Sequence, residues 1–192
     1  MNNLFFDFIK PYLKFIDSGD LFRKPFSWLY ASFGVINLFF PIYVFYTAYN
    51  NQIFDYNTQF VTAFLIILII ICFASWVSFQ LFWDRKNNVN ETSIEGDEFI
   101  ATPVFSHFIQ TIGEWFGTWI GIVGFSIALI ATLILGDQAD FVSYQFGIPF
   151  IKVGFTFVIL MPIYGFLIIV VTRFLAEQFR ALSSIANNTR KK

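Results

Sequence analysis

The residues FVTAFLIILIIICFASWVSFQLFW, at positions 60–83, form an apolar stretch without a charged side chain. An α-helix rises about 1.5 Å per residue, so about 20 residues cross a bilayer core that is about 30 Å thick. The run LIILIII, at 65–71, does not alternate between apolar and polar residues as the strands of a membrane β-barrel do. The stretch therefore predicts a transmembrane helix.

Three further stretches are long and apolar enough for the same prediction. They lie at 26–49, 105–135 and 149–174, so that with 60–83 the sequence predicts four membrane spans. Helices satisfy their own backbone hydrogen bonds, which lipid cannot do. The sequence therefore predicts an all-α integral membrane protein, a four-helix bundle in a single domain at 1–192.

The composition agrees with this fold and excludes others. The 192 residues are 57% hydrophobic and 13% charged, whereas a soluble domain carries about 25% charged residues. The 12 Lys and Arg are balanced by 13 Asp and Glu, so the chain lacks the basic excess of a nucleic-acid-binding protein. The single Cys excludes an internal disulfide framework. The lipid bilayer is the expected environment.

Basic residues lie almost entirely on one side of the predicted spans. Eleven of the 12 Lys and Arg residues fall in the two terminal flanks and in a loop at 84–104, and Lys152 is the exception. By the positive-inside bias, both termini and this loop face the cytoplasm. We expect a multi-pass protein of the inner (plasma) membrane.

The N-terminal segment 1–19 has the pattern of an amphipathic helix. Its apolar residues recur at helical spacing, and Pro11 is expected to kink or interrupt the helix. We predict that this helix lies on the inner leaflet as a packing foot for the bundle. A membrane sensor or a partner-binding helix is the alternative.

A glycine stripe marks the third span. Gly113, Gly117 and Gly121 recur every four residues and Gly124 follows three later, which places them along one helix face. Small residues let a neighbouring backbone approach closely in lipid. We favour packing within the chain, because four spans must already meet, over packing against a second copy.

Glu114 and Arg173 are expected to meet at the inner membrane boundary. Glu114 is 21 positions from Leu135, and Arg173 is 21 positions from Lys152, so the two lie at similar depth. We predict an ion pair, because an unpaired charge is costly there. Separate extension of both side chains into water is the alternative.

The fourth span is expected to continue as a helix to about Ala186, within a tail at 175–192. Arg173, Glu177 and Arg180 follow one another at i, i+4 and i+7 and can pair locally, each pair being worth about 0.3–0.5 kcal/mol. We favour anchoring of these residues at the inner leaflet over docking of acidic lipids or of a cytoplasmic protein.

Two prolines and one polar amide side chain lie within the apolar spans. Pro41 and Pro162 lie inside the first and fourth spans, where each can produce a kink. Packing is the preferred explanation of these kinks over a transport site. Asn37 is expected to form an interhelical hydrogen bond.

The sequence offers little for catalysis. His107 is the only histidine, so a metal site built from several His cannot form within one chain, and Cys72 lies in an apolar span without a nearby base. We predict no catalytic, cofactor-binding or metal site, and no enzymatic activity.

Two flanking segments resemble a protein family. FRKPF at 22–26 and RFLAE at 173–177, with IANNT at 185–189, are similar to the ends of small uncharacterised bacterial membrane proteins classed under a domain of unknown function. The resemblance implies a bacterial inner membrane and brings no assigned activity.

Two functions therefore remain open. The preferred one is a scaffold or accessory subunit of a membrane complex, assembled with other membrane subunits or as a homo-oligomer. The alternative is an oligomeric channel or small transporter. A channel should place polar side chains and Glu114 on one continuous face, and a scaffold should bury them in pairs between helices. The polar side chains in question are Asn37, Ser75, Ser78, Thr118, Ser126, Thr132 and Thr156.

Overall fold

A computed structural model describes residues 4–17, 20–89, 101–136 and 154–190. Positions 90–100 of the predicted loop and 149–153 of the predicted fourth span lie outside these residues, as do the last two residues of the tail. The described residues form helices and no strand, which confirms the all-α class. The five helices are α1 (Leu4–Asp17), α2 (Asp20–Asn50), α3 (Thr58–Asn88), α4 (Ala101–Leu135) and α5 (Phe155–Arg190).

Helices α2 to α5 are each long and apolar enough to cross a membrane. Each has more than 30 residues, whereas about 20 suffice for the hydrocarbon core. The surplus moves several predicted boundaries. Helix α2 begins at Asp20 instead of at 26, and α4 begins at Ala101, inside the predicted loop 84–104. Helix α3 continues through 84–88, which the sequence assigned to a loop, and α5 runs to Arg190, beyond the predicted end at Ala186.

The helix ends and interruptions have local causes. The Asn57 side chain accepts a hydrogen bond of 2.9 Å from the backbone N–H of Phe60 and so caps the start of α3. Helix α1 continues through Pro11 instead of restarting there, and α2 and α5 likewise continue through Pro41 and Pro162. Two turns of α4, Ile120–Gly124 and Ala131–Leu135, are π-helical.

The helices pack as two pairs. Helix α2 lies along α3, α4 lies along α5, and contacts between α3 and α4 join the pairs. Within the described ranges, α5 has almost no backbone contact with α2 or α3. The four helices therefore form an open arrangement in which α4 is central and α5 is peripheral, instead of a closed four-helix bundle.

The two ends of the helices differ in charge. We call the end that carries Asp20, Asn88, Ala101 and Arg190 the basic end, because the Lys and Arg residues of α2, α3 and α5 all lie in the half of their helix nearest to it. The other end is called the opposite end. Apolar residues of α3 and α4 pack together at both ends, Phe60 with Ile130 and Phe82 with Val104, so these helices are antiparallel.

Candidate functional site

A buried carboxylate lies where α3, α4 and α5 meet. The side chain of Glu114 is only 8% exposed, so its charge needs partners to offset the loss of water. Arg173 donates to Oε1 from Nε at 2.9 Å and from Nη2 at 2.7 Å, and Gln110 Nε2 donates to the same oxygen at 2.8 Å. Arg85 Nη2 donates to Oε2 at 3.0 Å. Both carboxylate oxygens are therefore satisfied.

A third arginine joins this network through Gln110. Arg180 Nη2 donates to Gln110 Oε1, and Arg180 Nε donates to the backbone carbonyl of Ala176 at 3.3 Å. The amide of Gln110 thus connects the carboxylate to a guanidinium two turns beyond Arg173. We call this group of residues the Glu114 cluster: Arg85, Gln110, Glu114, Arg173 and Arg180.

Helix direction brings these side chains into reach. Side chains lean toward the N-terminus of their own helix. Because α3 is antiparallel to α4, the long side chain of Arg85 leans toward the opposite end and that of Glu114 leans toward the basic end. The two side chains therefore lean toward each other, which lets the guanidinium of Arg85 reach the carboxylate of Glu114.

Of the ion pairs predicted at the membrane boundary, the described part of the chain contains one and lacks two. Glu114 and Arg173, which the depth count paired, are in direct contact. The local pairs of Glu177 with Arg173 and with Arg180 are absent, and the exposed Glu177 side chain forms no ion pair within the described ranges. Arg173 turns to Glu114 instead because a buried carboxylate must be compensated, whereas the exposed Glu177 keeps its water.

The sequence pattern does not identify two of the residues that bind Glu114, namely Gln110 and Arg85. Gln110 precedes Glu114 by four residues, which is the spacing of neighbours on one helix face. Arg85 lies two residues after the predicted span 60–83, and so at the same boundary as Glu114. The sequence pattern places Arg85 in a loop, whereas in the structure α3 continues to Asn88.

The glycine stripe faces α5 of the same chain. A Cβ atom on Gly117 would lie 2.5 Å from the carbonyl oxygen of Gly165 and 2.6 Å from Ile169 Cγ1. Gly113 is similarly crowded by Thr172, and Gly124 meets Met161 at 3.1 Å, whereas a Cβ on Gly121 would meet nothing within 4 Å. Backbone contact is therefore tightest between Gly117 and Gly165, a partner that the spacing alone did not reveal.

Polar side chains inside the helices are paired across helix interfaces. Trp115 Nε1 donates to Asn37 Oδ1 at 3.0 Å, and Trp119 Nε1 donates to Ser78 Oγ at 2.6 Å. These two bonds tie α4 to α2 and to α3. Near the basic end, the Tyr30 hydroxyl lies 2.9 Å from His107 Nδ1. Asn37 thus makes an interhelical hydrogen bond.

Most remaining hydroxyls of α4 are satisfied within their own helix. Thr118 donates to the carbonyl of Glu114 at 2.7 Å, and Ser126 and Thr132 donate to the carbonyls four residues before them. Ser75 differs, since its buried Oγ has no hydrogen-bond partner within the described part of the chain. The three α4 hydroxyls therefore make no bond to another helix within the described ranges.

Chemistry-bearing side chains are scattered through the described ranges. No three His, Cys, Asp or Glu side chains come together there as a potential metal site. Cys72 is exposed on α3, on the apolar surface of that helix.

Comparison with known proteins adds no relative. No protein-family model matches the chain, and no match is found among curated proteins or among solved structures.

Proposed function

We propose that this chain is a multi-pass protein of a bacterial inner membrane, with both termini in the cytoplasm, and that it serves as a non-catalytic scaffold or accessory subunit of a membrane complex. Two buried polar side chains that form interhelical hydrogen bonds carry the proposal. Asn37 and Ser78 each accept a hydrogen bond from an indole of α4, so they hold helices together instead of facing water.

The surface of α5 supports a role in assembly. Leu182 and Ile185 are 63% and 62% exposed. They lie 27 and 30 positions beyond Phe155, or about 40–45 Å along the helix, which is outside a hydrocarbon core of about 30 Å. Exposed apolar residues outside the lipid are typical of an interface with another protein. A partner subunit on α5 would cover them.

An oligomeric channel or small transporter is the competing function. Its pore would need a continuous row of polar groups. Thr118, Ser126 and Thr132 instead bond to their own helix, and Glu114 is enclosed by its partners. The pattern of hydrogen bonds therefore favours the scaffold.

Membrane topology can be tested with single cysteines in a Cys72→Ser background. The proposal expects Asp55→Cys, at the opposite end, to react with a membrane-impermeant maleimide in intact spheroplasts. Lys24→Cys, at the basic end, should react only after lysis. The same labelling of both sites before lysis, or release of the chain by alkaline extraction, would overturn membrane insertion with cytoplasmic termini.

Assembly can be tested by site-specific photocrosslinking in the native membrane. A photoreactive residue at Leu182 or Ile185 should crosslink to one defined protein, at a yield that a matched probe at Ile69, an exposed position within the apolar span of α3, does not reach. Selective ion or solute flux through the purified protein in proteoliposomes would instead establish the channel and reject the scaffold.

A further inference from the structure

The Glu114 cluster has more positive than negative charge. The cluster holds three guanidiniums and one carboxylate: Arg85 and Arg173 bind Glu114 directly, and Arg180 bonds to Gln110. Asp84 Oδ2 lies 3.7 Å from Arg85 and is largely exposed, and Glu177 is exposed on α5 without bonding to Arg173 or Arg180. The acids near the cluster therefore leave its two α5 arginines incompletely neutralised.

Both α5 arginines retain free donors. The Arg173 side chain is 53% exposed, although it binds Glu114 through Nε and Nη2. Arg180 is exposed as well, and within the described residues Nη1 of either arginine makes no hydrogen bond. Each guanidinium can therefore donate to an oxygen anion without giving up its present contacts.

The cluster lies at a defined depth. Glu114 is 21 positions from Leu135 and Arg173 is 18 positions from Phe155. At about 1.5 Å per residue these separations are about 31 Å and 27 Å, close to the thickness of the hydrocarbon core. If the opposite ends of α4 and α5 mark one boundary of that core, the cluster lies at the headgroup layer of the other leaflet.

The space over α4 between α3 and α5, which we call the groove, extends from the cluster toward the opposite end. Helices α3 and α5 both pack on α4 and, where the structure describes them, barely touch each other. Phe166 and Val170 are exposed on α5, seven and three residues before Arg173, and so lie on the same side of the helix. Leu81 and Val77 lie one and two turns before Arg85 on α3. Apolar side chains therefore line the groove, and arginines of the Glu114 cluster lie at the end of it nearest to the basic end.

We propose that the Glu114 cluster binds the phosphate of an anionic phospholipid through Arg173 and Arg180, with the acyl chains of the lipid in the groove between α3 and α5. The arrangement suits this ligand because arginine donors match phosphate oxygens and the groove matches acyl chains. Basic pockets between membrane helices bind anionic headgroups by the same chemistry. The inference rests on the proposed membrane insertion.

The test measures lipid binding to the purified full-length protein in a neutral detergent. Phosphatidylglycerol and phosphatidylcholine with the same acyl chains are titrated, and retained lipid is counted by native mass spectrometry. We expect the wild-type protein to prefer phosphatidylglycerol, and R180Q to lower that affinity about tenfold while phosphatidylcholine binding is unchanged. R180Q is the primary variant because, among the described residues, Arg180 bonds to Gln110 and to a carbonyl of its own helix and to nothing else.

K24Q is the matched control, because Lys24 is a basic residue of the same end that pairs locally with Asp20. It should keep the affinity for phosphatidylglycerol within about twofold. R173Q should weaken binding as R180Q does, with circular dichroism and size-exclusion chromatography as checks of folding.

Three results would overturn the lipid site. They are equal retention of the two lipids by the wild-type protein, equal losses in R180Q and K24Q, and displacement of phosphatidylglycerol by inorganic phosphate at a comparable concentration. The last result would identify a site for soluble anions to which the groove contributes nothing. Failure of membrane insertion is detected separately, by alkaline extraction and cysteine labelling.

Discussion

Arg173 donates two hydrogen bonds to a single oxygen of Glu114, a residue 59 positions earlier in the chain and on a neighbouring helix. The second oxygen accepts from Arg85. One buried carboxylate therefore connects α3, α4 and α5. Removing one partner of a buried ion pair leaves an uncompensated charge, which is why such changes cost far more than the loss of an exposed pair.

Glu114→Gln is expected to lower the free energy of unfolding by about 1–3 kcal/mol, because the partly buried Arg85 is then left facing a neutral amide, whereas the half-exposed Arg173 can turn to water. The measurement is reversible unfolding in mixed micelles, followed by circular dichroism. Asp20→Asn is the control, since it breaks the exposed pair with Lys24 and should cost about 1 kcal/mol or less. Equal losses in the two variants would show that Glu114 does not act as a buried charge.

Charge reversal tests whether Arg85 belongs to the same network. The double variant E114R/R173E restores an opposite-charge pair, but the new arginine then meets Arg85, whose Nη2 lies 3.0 Å from the native carboxylate. We expect the double variant to remain less stable than the wild type, and added R85E to recover part of the loss. Full recovery in the double variant would mean that Arg85 contributes nothing.

The glycines of α4 provide a matched pair of substitutions. Gly117→Ala should lower the free energy of unfolding by about 1–3 kcal/mol, because its Cβ would overlap the Gly165 carbonyl and Ile169. Gly121→Ala meets open space and should change stability by about 0.5 kcal/mol or less. Thermal unfolding of both variants in the same detergent gives the comparison. A larger loss for Gly121→Ala would contradict the packing of α4 on α5.

The different behaviour of these glycines shows where prediction from sequence stops. Spacing of four assumes a regular α-helix, and on that basis Gly113 to Gly121 share one face. Ile120–Gly124 is instead a π-helical turn, which takes more residues per turn. The Gly121 backbone still lies against α5, since a Cβ on Gly165 would be 2.9 Å from its Cα, but a Cβ on Gly121 itself would point into open space. The local sequence contains no signal that predicts this π-helical turn.

Other features were predictable because they depend on helix geometry alone. The rise per residue was enough to bring Glu114 and Arg173 to one level, and apolar length was enough to find α2 to α5. The role of Arg85 depended on where α3 ends, and helix ends are the features that sequence patterns locate least precisely. The choice of Asn37 as the acceptor for Trp115 likewise required the helix arrangement.

Two serines one turn apart on α3, Ser75 and Ser78, differ in whether their hydroxyl forms a hydrogen bond. Ser78 accepts from Trp119 Nε1 and donates to the carbonyl of Ala74, whereas the buried Oγ of Ser75 has no partner among the described residues. Ser78→Ala should lower the free energy of unfolding by about 0.6–1.7 kcal/mol, the usual range for a hydrogen bond between membrane helices.

Ser75→Ala should leave stability unchanged or raise it, because the substitution removes a buried polar atom whose hydrogen bond was never made. Thermal unfolding of the two variants is the measurement, with Trp119→Phe added to each. The Trp119→Phe change removes packing in both variants, but it should cost less in Ser78→Ala than in Ser75→Ala, and the difference should equal the energy of the Trp119–Ser78 bond. A loss in Ser75→Ala equal to that in Ser78→Ala would show that the Ser75 hydroxyl is bonded in the folded protein.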